Sequence, residues 1–419
     1  MQDTLLYEYL LGLKSPWSVS RVNLDVKEQR VDVWAEHPDN AAWACPQCSK
    51  TLPLYDHAEE RTWRHLDSCQ FQTHLHARIP RVECPEHGVV QVGVPWAGPR
   101  SRFTLLFERL AIDVLSQCDV TGATRILRIS WDEAWGLMQR AVKCGQERKQ
   151  AKVVRRIGVD EKAAAKGHRY LTLVCDLDDG TVEHIAEDRK QDSLAGYYAG
   201  LSEKQLNGIE AVAMDMWQPY IQATLAKVPG AAGKIVFDRF HVQQLASKAL
   251  DETRREEWNR LRQTHGRKSK EAAALKGLRW TLLRDGLTLS EAQQARLAEL
   301  QRENKRLYRA YLLKESLANI LDRRQPNVVA ELLTKWCNWA SRSRLPAFVR
   351  TGKTVRDHLE GIVAYVRYQI SNGLVEGLNN KARLLTRRAY GFHSAEAVLS
   401  MIELCCSGIV VDPGLRDVA

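Results

Sequence analysis

The sequence predicts a multidomain α+β protein: small metal-binding and helical modules, then a larger α/β domain interrupted by helices. Three observations carry that expectation. A chain of 419 residues with 44% apolar content can bury several cores, so two to four domains are expected. Two ligand pairs, each with a two-residue gap, stand near the start in "CPQC" and "CPEHG". The apolar period then changes twice, from helical to strand-like near residue 150 and back to long helices near residue 240. These shifts divide the chain into residues 1–100, 101–150, 151–240, 241–369 and 370–419.

The formal charge of +10 and the pI near 9.1 favour a polyanionic partner, most simply nucleic acid, without separating DNA from RNA. No apolar run approaches the roughly 20 residues of a membrane span, and "MQDTLLYEYL" lacks the basic-then-apolar order of an export signal. A cytoplasmic protein with no membrane partner is expected. In that setting the ten cysteines read as reduced thiols and metal ligands.

In residues 1–100, Cys45 and Cys48 form one knuckle and Cys84 and His87 the other. A two-residue gap lets a tight turn aim two ligands at one ion, and two knuckles complete a tetrahedral Zn²⁺ shell. The segment "FQTHLHARIPRVEC" alternates apolar and polar residues and reads as a strand leading to the second knuckle. A zinc ribbon is expected. His57, His65 and Cys69 lie between the knuckles as alternative ligands, but none has a partner at a two-residue gap.

Residues 101–150 are helical in pattern. Phe103, Leu106, Phe107, Leu110 and Val114 make one apolar stripe after a cap at Ser101. In "VTGATRILRISWDEAWGLMQRAVK", Thr121 is expected to cap a short helix ending at Leu127, with "RIS" as the turn. Trp131, Trp135, Met138 and Val142 would be the buried stripe of the next helix. So tight a pair fits a helix-turn-helix, although an ordinary pair of packed helices has the same pattern. Asp132 and Glu133 suit the helix start but face phosphates poorly, so Gln139, Arg140 and Lys143 are the expected DNA readers.

From residue 151 the strands begin. "VVRRIGVDEKA" ends on Asp160, "RYLTLVCDL" and "TVEHIAED" flank a turn at Asp179 and Gly180, "IEAVAMDMW" ends on Asp215 and "GKIVFDRFH" on Asp238. With helices between the later strands, the order β-β-β-α-β-α-β is that of a ribonuclease-H-like α/β core. Carboxylates on neighbouring strand ends repel one another unless a cation lies between them.

The third acid comes from "SNGLVEGLNNKARLLTRRAYGFHS". Glu376 is the only acidic residue between Glu360 and Glu396, among Lys381, Arg383, Arg387 and Arg388. A solvated face would mix the two signs. A two-metal phosphoryl-transfer site needs hard oxygen ligands from separate elements, with ions about 3.5–4 Å apart. Asp160, Asp215 and Glu376 supply them, and the basic side chains around Glu376 are then placed for DNA phosphates. Glu161 alternates to the opposite face of its strand.

"CPQC", "CPEHG", "RTWRHLD", "IGVDEKA", "VAMDMWQPY", "IVFDRFHV" and "SNGLVEGLNNKARLLTRRAYGF" together resemble bacterial insertion-sequence transposases of the DDE class, specifically the L-three family. The likeness runs along nearly the whole chain. By that resemblance Asp160, Asp215 and Glu376 align with the acidic triad, holding Mg²⁺ (or Mn²⁺). "DRFH" is similar to an Asp-x-x-His signature of several transposase groups. It makes Asp238 and His241 secondary candidates, against the alternative that Asp238 caps the next helix and His241 packs on it. The charged heptad-like stretch across 241–369 is read as an α-helical insertion domain, which the resemblance connects with holding transposon ends or a partner subunit. The expected partners are double-stranded DNA, as terminal inverted repeats and as target, and a second copy of the chain, at least on DNA. A DNA-binding regulator with an inert core and a purely hydrolytic nuclease are the rival readings.

Overall fold

The structure, a computed structural model, describes residues 3–165, 169–266, 270–370, 373–389 and 394–410. Contacts divide the chain into one unit of residues 1–150 with 385–419 and another of residues 151–384.

The first unit opens with α1 (Asp3–Leu10), β1 (Ser18–Asp25), β2 (Arg30–Glu36), β3 (Ala42–Ala44), β4 (Thr51–Pro53), β5 (Asp56–Arg64), β6 (Gln72–Cys84) and β7 (Gly88–Gln91). The sheet runs β1-β2-β6-β5, with β7 on β6 and only β2 and β6 parallel. The expected strand before the second knuckle is β6. Its Thr73, Leu75, Ala77 and Ile79 point into a core closed by Trp17, Trp63 and Trp96. β3 and β4 form a separate ribbon.

α2 (Leu105–Gln117), α3 (Val120–Leu127) and α4 (Trp131–Arg148) follow. Their caps differ from expectation. Thr104, not Ser101, caps α2, and Asp119, not Thr121, caps α3 by accepting from Gly122 N. Ser130 and Glu133 close a capping box on α4, which gives two orphan backbone donors their acceptors at once. The buried stripe of α4 is also rotated. Ala134, Leu137, Met138, Ala141, Val142 and Gly145 are inside, whereas Trp131 is exposed and Trp135 half-buried. On α2 the buried residues are Phe107, Ala111, Ile112 and Leu115, and Leu110 is exposed.

The second unit begins with β8 (Arg156–Ala165), β9 (Arg169–Asp176), β10 (Thr181–Glu187), α5 (Gln191–Ala199), α6 (Glu203–Gly208), β11 (Ala211–Met214), α7 (Gln218–Lys227) and β12 (Ile235–Phe237). The sheet order is β10-β9-β8-β11-β12. The first three strands are an antiparallel meander, and β8, β11 and β12 are parallel. Gly180, at φ 68°, turns the β9–β10 hairpin as expected. Helices α8 (Arg239–His265), α9 (Lys270–Gly277), α10 (Arg279–Leu283), α11 (Glu291–Glu303), α12 (Lys305–Leu321), α13 (Pro326–Arg342), α14 (Pro346–Asp357), α15 (Leu359–Tyr368) and α16 (Gly373–Arg388) complete it.

Two features tie these helices to the sheet. One continuous apolar core runs from Ile157, Val159, Val212 and Met214 on the sheet through Leu250, Leu313 and Leu333 in the helices. α15 also returns to the sheet edge: a Cβ on Gly361 would meet the Phe237 ring at 2.5 Å. The opposite face of the sheet carries Ala211, Ala213 and Val236, whose small side chains let helices lie close. The unit boundary falls inside α16, and α17 (Ala395–Cys406) packs on α4 and α2.

Candidate active site and metal centre

The metal centre forms where two turns meet. Cys45 ends the β3–β4 ribbon at a tight turn in which Ser49 N donates to Cys45 O, and Cys84 ends β6. Cys45 Sγ lies 3.7 Å from His87 Nδ1, Cys48 Sγ 3.7 Å from Cys84 Sγ, and Cys84 Sγ 3.4 Å from His87 Nδ1. All four donor atoms lie within 4.8 Å of one another. A tetrahedron with Zn–S near 2.3 Å has sulfur–sulfur edges of about 3.8 Å. The donor set and spacing therefore fit Zn²⁺. Backbone amides at Glu86 and His87, together with the His87 ring, pull the Cys84 thiol down to about 6, as a thiolate ligand requires. The alternatives are otherwise engaged: His57 Nε2 meets His37 Nε2 at 3.0 Å, His65 is buried against Thr104 Oγ1 at 2.9 Å, and Cys69 is exposed.

The carboxylate site is built on β8 and β11. Gly158 of β8 pairs with Ala213 of β11 in parallel register. Two residues further along stand Asp160 and Asp215, level with one another: Asp215 directly follows β11, whereas Asp160 lies in mid-strand, because β8 does not end at Asp160 as expected but continues to Ala165 by pairing with β9. Both line one cleft of about 220 Å³, with Trp217, His241, Gln244 and Lys248 around it. Burial, then the charge of Asp215, pushes the Asp160 carboxyl up to about 6. Asp215 Oδ1 is shielded from solvent, receives no well-aligned hydrogen bond, and stands 2.8 Å from His241 Nε2. That contact raises the proton affinity of His241 above its ordinary value.

The two secondary candidates separate. His241 faces the cleft, whereas Asp238 is buried at the N-terminus of α8, where its Oδ1 accepts from Phe240 N at 2.6 Å. Glu161 pairs with Arg189 at 3.2 Å. Gln244 and Lys248, one and two turns beyond His241 on α8, escaped the sequence reading. Helical spacing from His241 was the available signal.

The face of β8 that carries Asp160 meets α16 in a regular way. Gly158, Asp160 and Lys162 alternate onto one side of the strand and meet Val375, Asn379 and Ala382, one stripe of the helix. Asn379 Nδ2 donates to Asp160 Oδ2, and buried Lys162 donates to Ala382 O at 2.8 Å. Glu376 is exposed in the first turn of the same helix, one turn before Asn379. Among the described residues, Asp160, Asp215 and Glu376 do not close to within 4.8 Å of one another. The α16 side chain that bonds Asp160 is Asn379.

The expected DNA-reading residues divide similarly. Gln139 Nε2 donates to Glu396 Oε1 at 2.8 Å, and Arg140 pairs with Glu108 at 3.2 Å, so both are held within their unit. Lys143 is exposed. Lys381, Arg383 and Arg387 are exposed on α16, and Arg388 donates to Ser116 O at 3.4 Å. Ser371, Asn372 and the "YGFH" end of the motif lie outside the described residues.

Comparison with known proteins agrees with this arrangement. Residues 41–87 match the zinc finger of transposases IS204, IS1001, IS1096 and IS1165, residues 93–142 the helix-turn-helix domain of transposase family ISL3, and residues 157–402 its transposase domain. The chain is 33% identical to the transposase for insertion sequence element IS1557 of Mycobacterium tuberculosis, over 97% of this chain and 96% of the relative. It is 27% identical to the transposase for IS1001 of Bordetella parapertussis, over 94% and 96%. No described helix is long and apolar enough to cross a membrane. With a zinc ribbon, a DNA-binding helix-turn-helix and a transposase domain in this order, the chain belongs to the ISL3 family of insertion-sequence transposases.

Proposed function

We propose that this transposase binds the terminal inverted repeats of its own element and uses Asp160, Asp215 and Glu376 to cut DNA at the ends and join them to a target. The observation that carries the reading is the parallel register of β8 and β11, which brings Asp160 and Asp215 level in one cleft. The sheet order, a meander followed by two parallel strands with intervening helices, supports a ribonuclease-H-like core. The site's chemistry fits a hard divalent cation, because Asp215 offers a buried acceptor oxygen and Asp160 a carboxylate whose ionisation is opposed by burial and by Asp215. Bound there, Mg²⁺ or Mn²⁺ supplies Lewis acidity for in-line attack at phosphorus, first by water and then by the freed 3′-hydroxyl.

The protein's own groups have separate tasks. Asp160 and Asp215 are ligands on the rigid central strands of the sheet, and Glu376 is the ligand carried by α16. His241 holds the Asp215 carboxylate by its ion pair. Lys248 in the cleft, with Lys381, Arg383 and Arg387 on α16, attracts phosphates. Cys45, Cys48, Cys84 and His87 hold Zn²⁺, which organises the ribbon. Joining two ends in one event requires at least two copies of the chain on DNA.

The test is a gel analysis of end-labelled DNA carrying the element's terminal repeats, incubated with Mg²⁺. Cut ends together with joined product support the proposal. Cutting without joining indicates a hydrolytic nuclease, and specific binding without cutting indicates a regulator.

A further inference from the structure

We infer that Asn379 is a positioning residue for the cation site: it sets the orientation of Asp160 and locks to it the helical turn that bears Glu376. The inference rests on the proposed role of the acidic residues. It starts from two facts about one amide. Asn379 Nδ2 donates to Asp160 Oδ2, while Asn379 Oδ1 is buried with no hydrogen-bond partner among the described residues. The side chain is 7% exposed, so the unpaired acceptor is not solvated by bulk water and costs free energy where it stands.

A carboxylate can only accept, so the amide must turn its nitrogen to Asp160 and its oxygen away. The other Asp160 oxygen, Oδ1, accepts from Glu161 N at 2.7 Å. Both carboxylate oxygens are therefore fixed, one by its own strand and one by α16. On the helix, Asn379 and Glu376 are three residues apart, neighbours on one surface at about 5–6 Å between Cβ atoms. Lys162 anchors the same helix one turn further on through Ala382 O. Any shift of α16 is thus felt at Asp160 as well as at Glu376. The orphan Oδ1 needs a donor, and the water shell of a hydrated divalent cation brings one. Groups that orient metal ligands in this way typically change metal affinity about 10–100-fold when removed.

The experiment is Mn²⁺ titration of the full-length protein, read by the electron paramagnetic resonance of free Mn²⁺, on wild type, Asp160→Asn and Asn379→Ala, with thermal melts of each. Asn379→Ala is expected to keep a folded melt, weaken Mn²⁺ binding about tenfold or more, and raise the Mg²⁺ needed for half-maximal cleavage in parallel. Wild-type affinity in a folded Asn379→Ala protein would overturn the inference while leaving the acidic site intact. Mn²⁺ binding that is untouched by Asp160→Asn would instead overturn the proposed function, and this inference with it. If Asn379→Ala does not fold, Asn379→Asp decides. It sets a second carboxylate against Asp160, so Mn²⁺ should raise its Tm by more than it raises that of wild type. An equal rise would refute the positioning role.

Discussion

Replacing Gly158 by alanine should push α16 away from β8 and stop cleavage while DNA binding persists. A Cβ on Gly158 would stand 2.3 Å from Val375 Cγ2 and 2.7 Å from Leu177 Cδ2, where apolar carbons rest at about 3.5–4.0 Å. Val375 is fully buried and branched at Cβ, so in a close-packed interior relief is expected to come from a retreat of the helix by roughly 1 Å. Overpacking of this kind costs about 1–3 kcal/mol. The larger effect is geometric. Asn379 and Ala382 lie on the same stripe as Val375, so their bonds to Asp160 and Lys162 loosen together, and a misplacement of about 1 Å in a reacting constellation can cost about 100-fold in rate. Single-turnover cleavage of repeat DNA in Mg²⁺, gel-shift affinity for the same DNA, and urea unfolding separate the effects. Cleavage should collapse, affinity should hold, and stability should fall modestly. Adding Val375→Ala removes the closer of the two clashing methyl groups, leaving the Leu177 side chain to rotate away, and should restore much of the rate. Full activity in Gly158→Ala, or a double variant no better than the single, would refute the reasoning.

Other expectations follow from the same geometry. Glu376→Gln, Asp160→Asn and Asp215→Asn should each reduce cleavage by orders of magnitude with near-normal end binding, as read on the same gels, whereas Asp238→Asn should be milder, because Asp238 serves as a helix cap. Cys45→Ser or Cys84→Ser should release about one zinc per chain and abolish repeat-specific binding, as measured by metal analysis and gel shift, while weak Mg²⁺-dependent nicking of nonspecific DNA remains. Asp160 titrates near 6, above the ordinary carboxylate value, so its proton competes with the cation below that pH and not above it. Mn²⁺ affinity should therefore be level above pH 6 and fall about tenfold per unit below it. Glu257 is buried between Arg260, Asn304 and Arg306. Glu257→Ala should cost about 2 kcal/mol in urea unfolding, since the two arginines keep access to water.

Legibility in the sequence followed how local each cause is. The metal knuckles, the β9–β10 turn and the end of β11 were readable because a two-residue ligand gap, an Asp-Gly pair or a strand followed by an acid acts within a few residues, whereas β8 was ended too early at Asp160 because its pairing with β9 carries it on to Ala165. The caps of α2 and α3 were misplaced by two or three residues because Ser101 and Thr121 compete with Thr104 and Asp119 as near neighbours of equal chemistry. The stripe of α4 was rotated because tryptophan reads as core, whereas small residues at Ala134, Ala141 and Gly145 are what allow close helix contact. The contacts of Gln139 with Glu396 and of Arg140 with Glu108 were not readable because these partners are distant in sequence. That the helices of 241–369 continue the core of the sheet was not readable, because nothing local in the sequence shows it. Asn379 passed unnoticed among three asparagines. Its meaning depends on Asp160, 219 residues earlier.

The most direct measurement replaces Mg²⁺ with Fe²⁺ and maps where peroxide and ascorbate cut the protein backbone beside the bound metal. If Asp160, Asp215 and Glu376 share one cation site, cuts should cluster in the middle of β8, just after β11 and in the first turn of α16, and excess Mg²⁺ should suppress all three together. Cuts at β8 and β11 without any at α16, or cuts that Mg²⁺ does not suppress, would contradict the assignment of Glu376 as the third ligand.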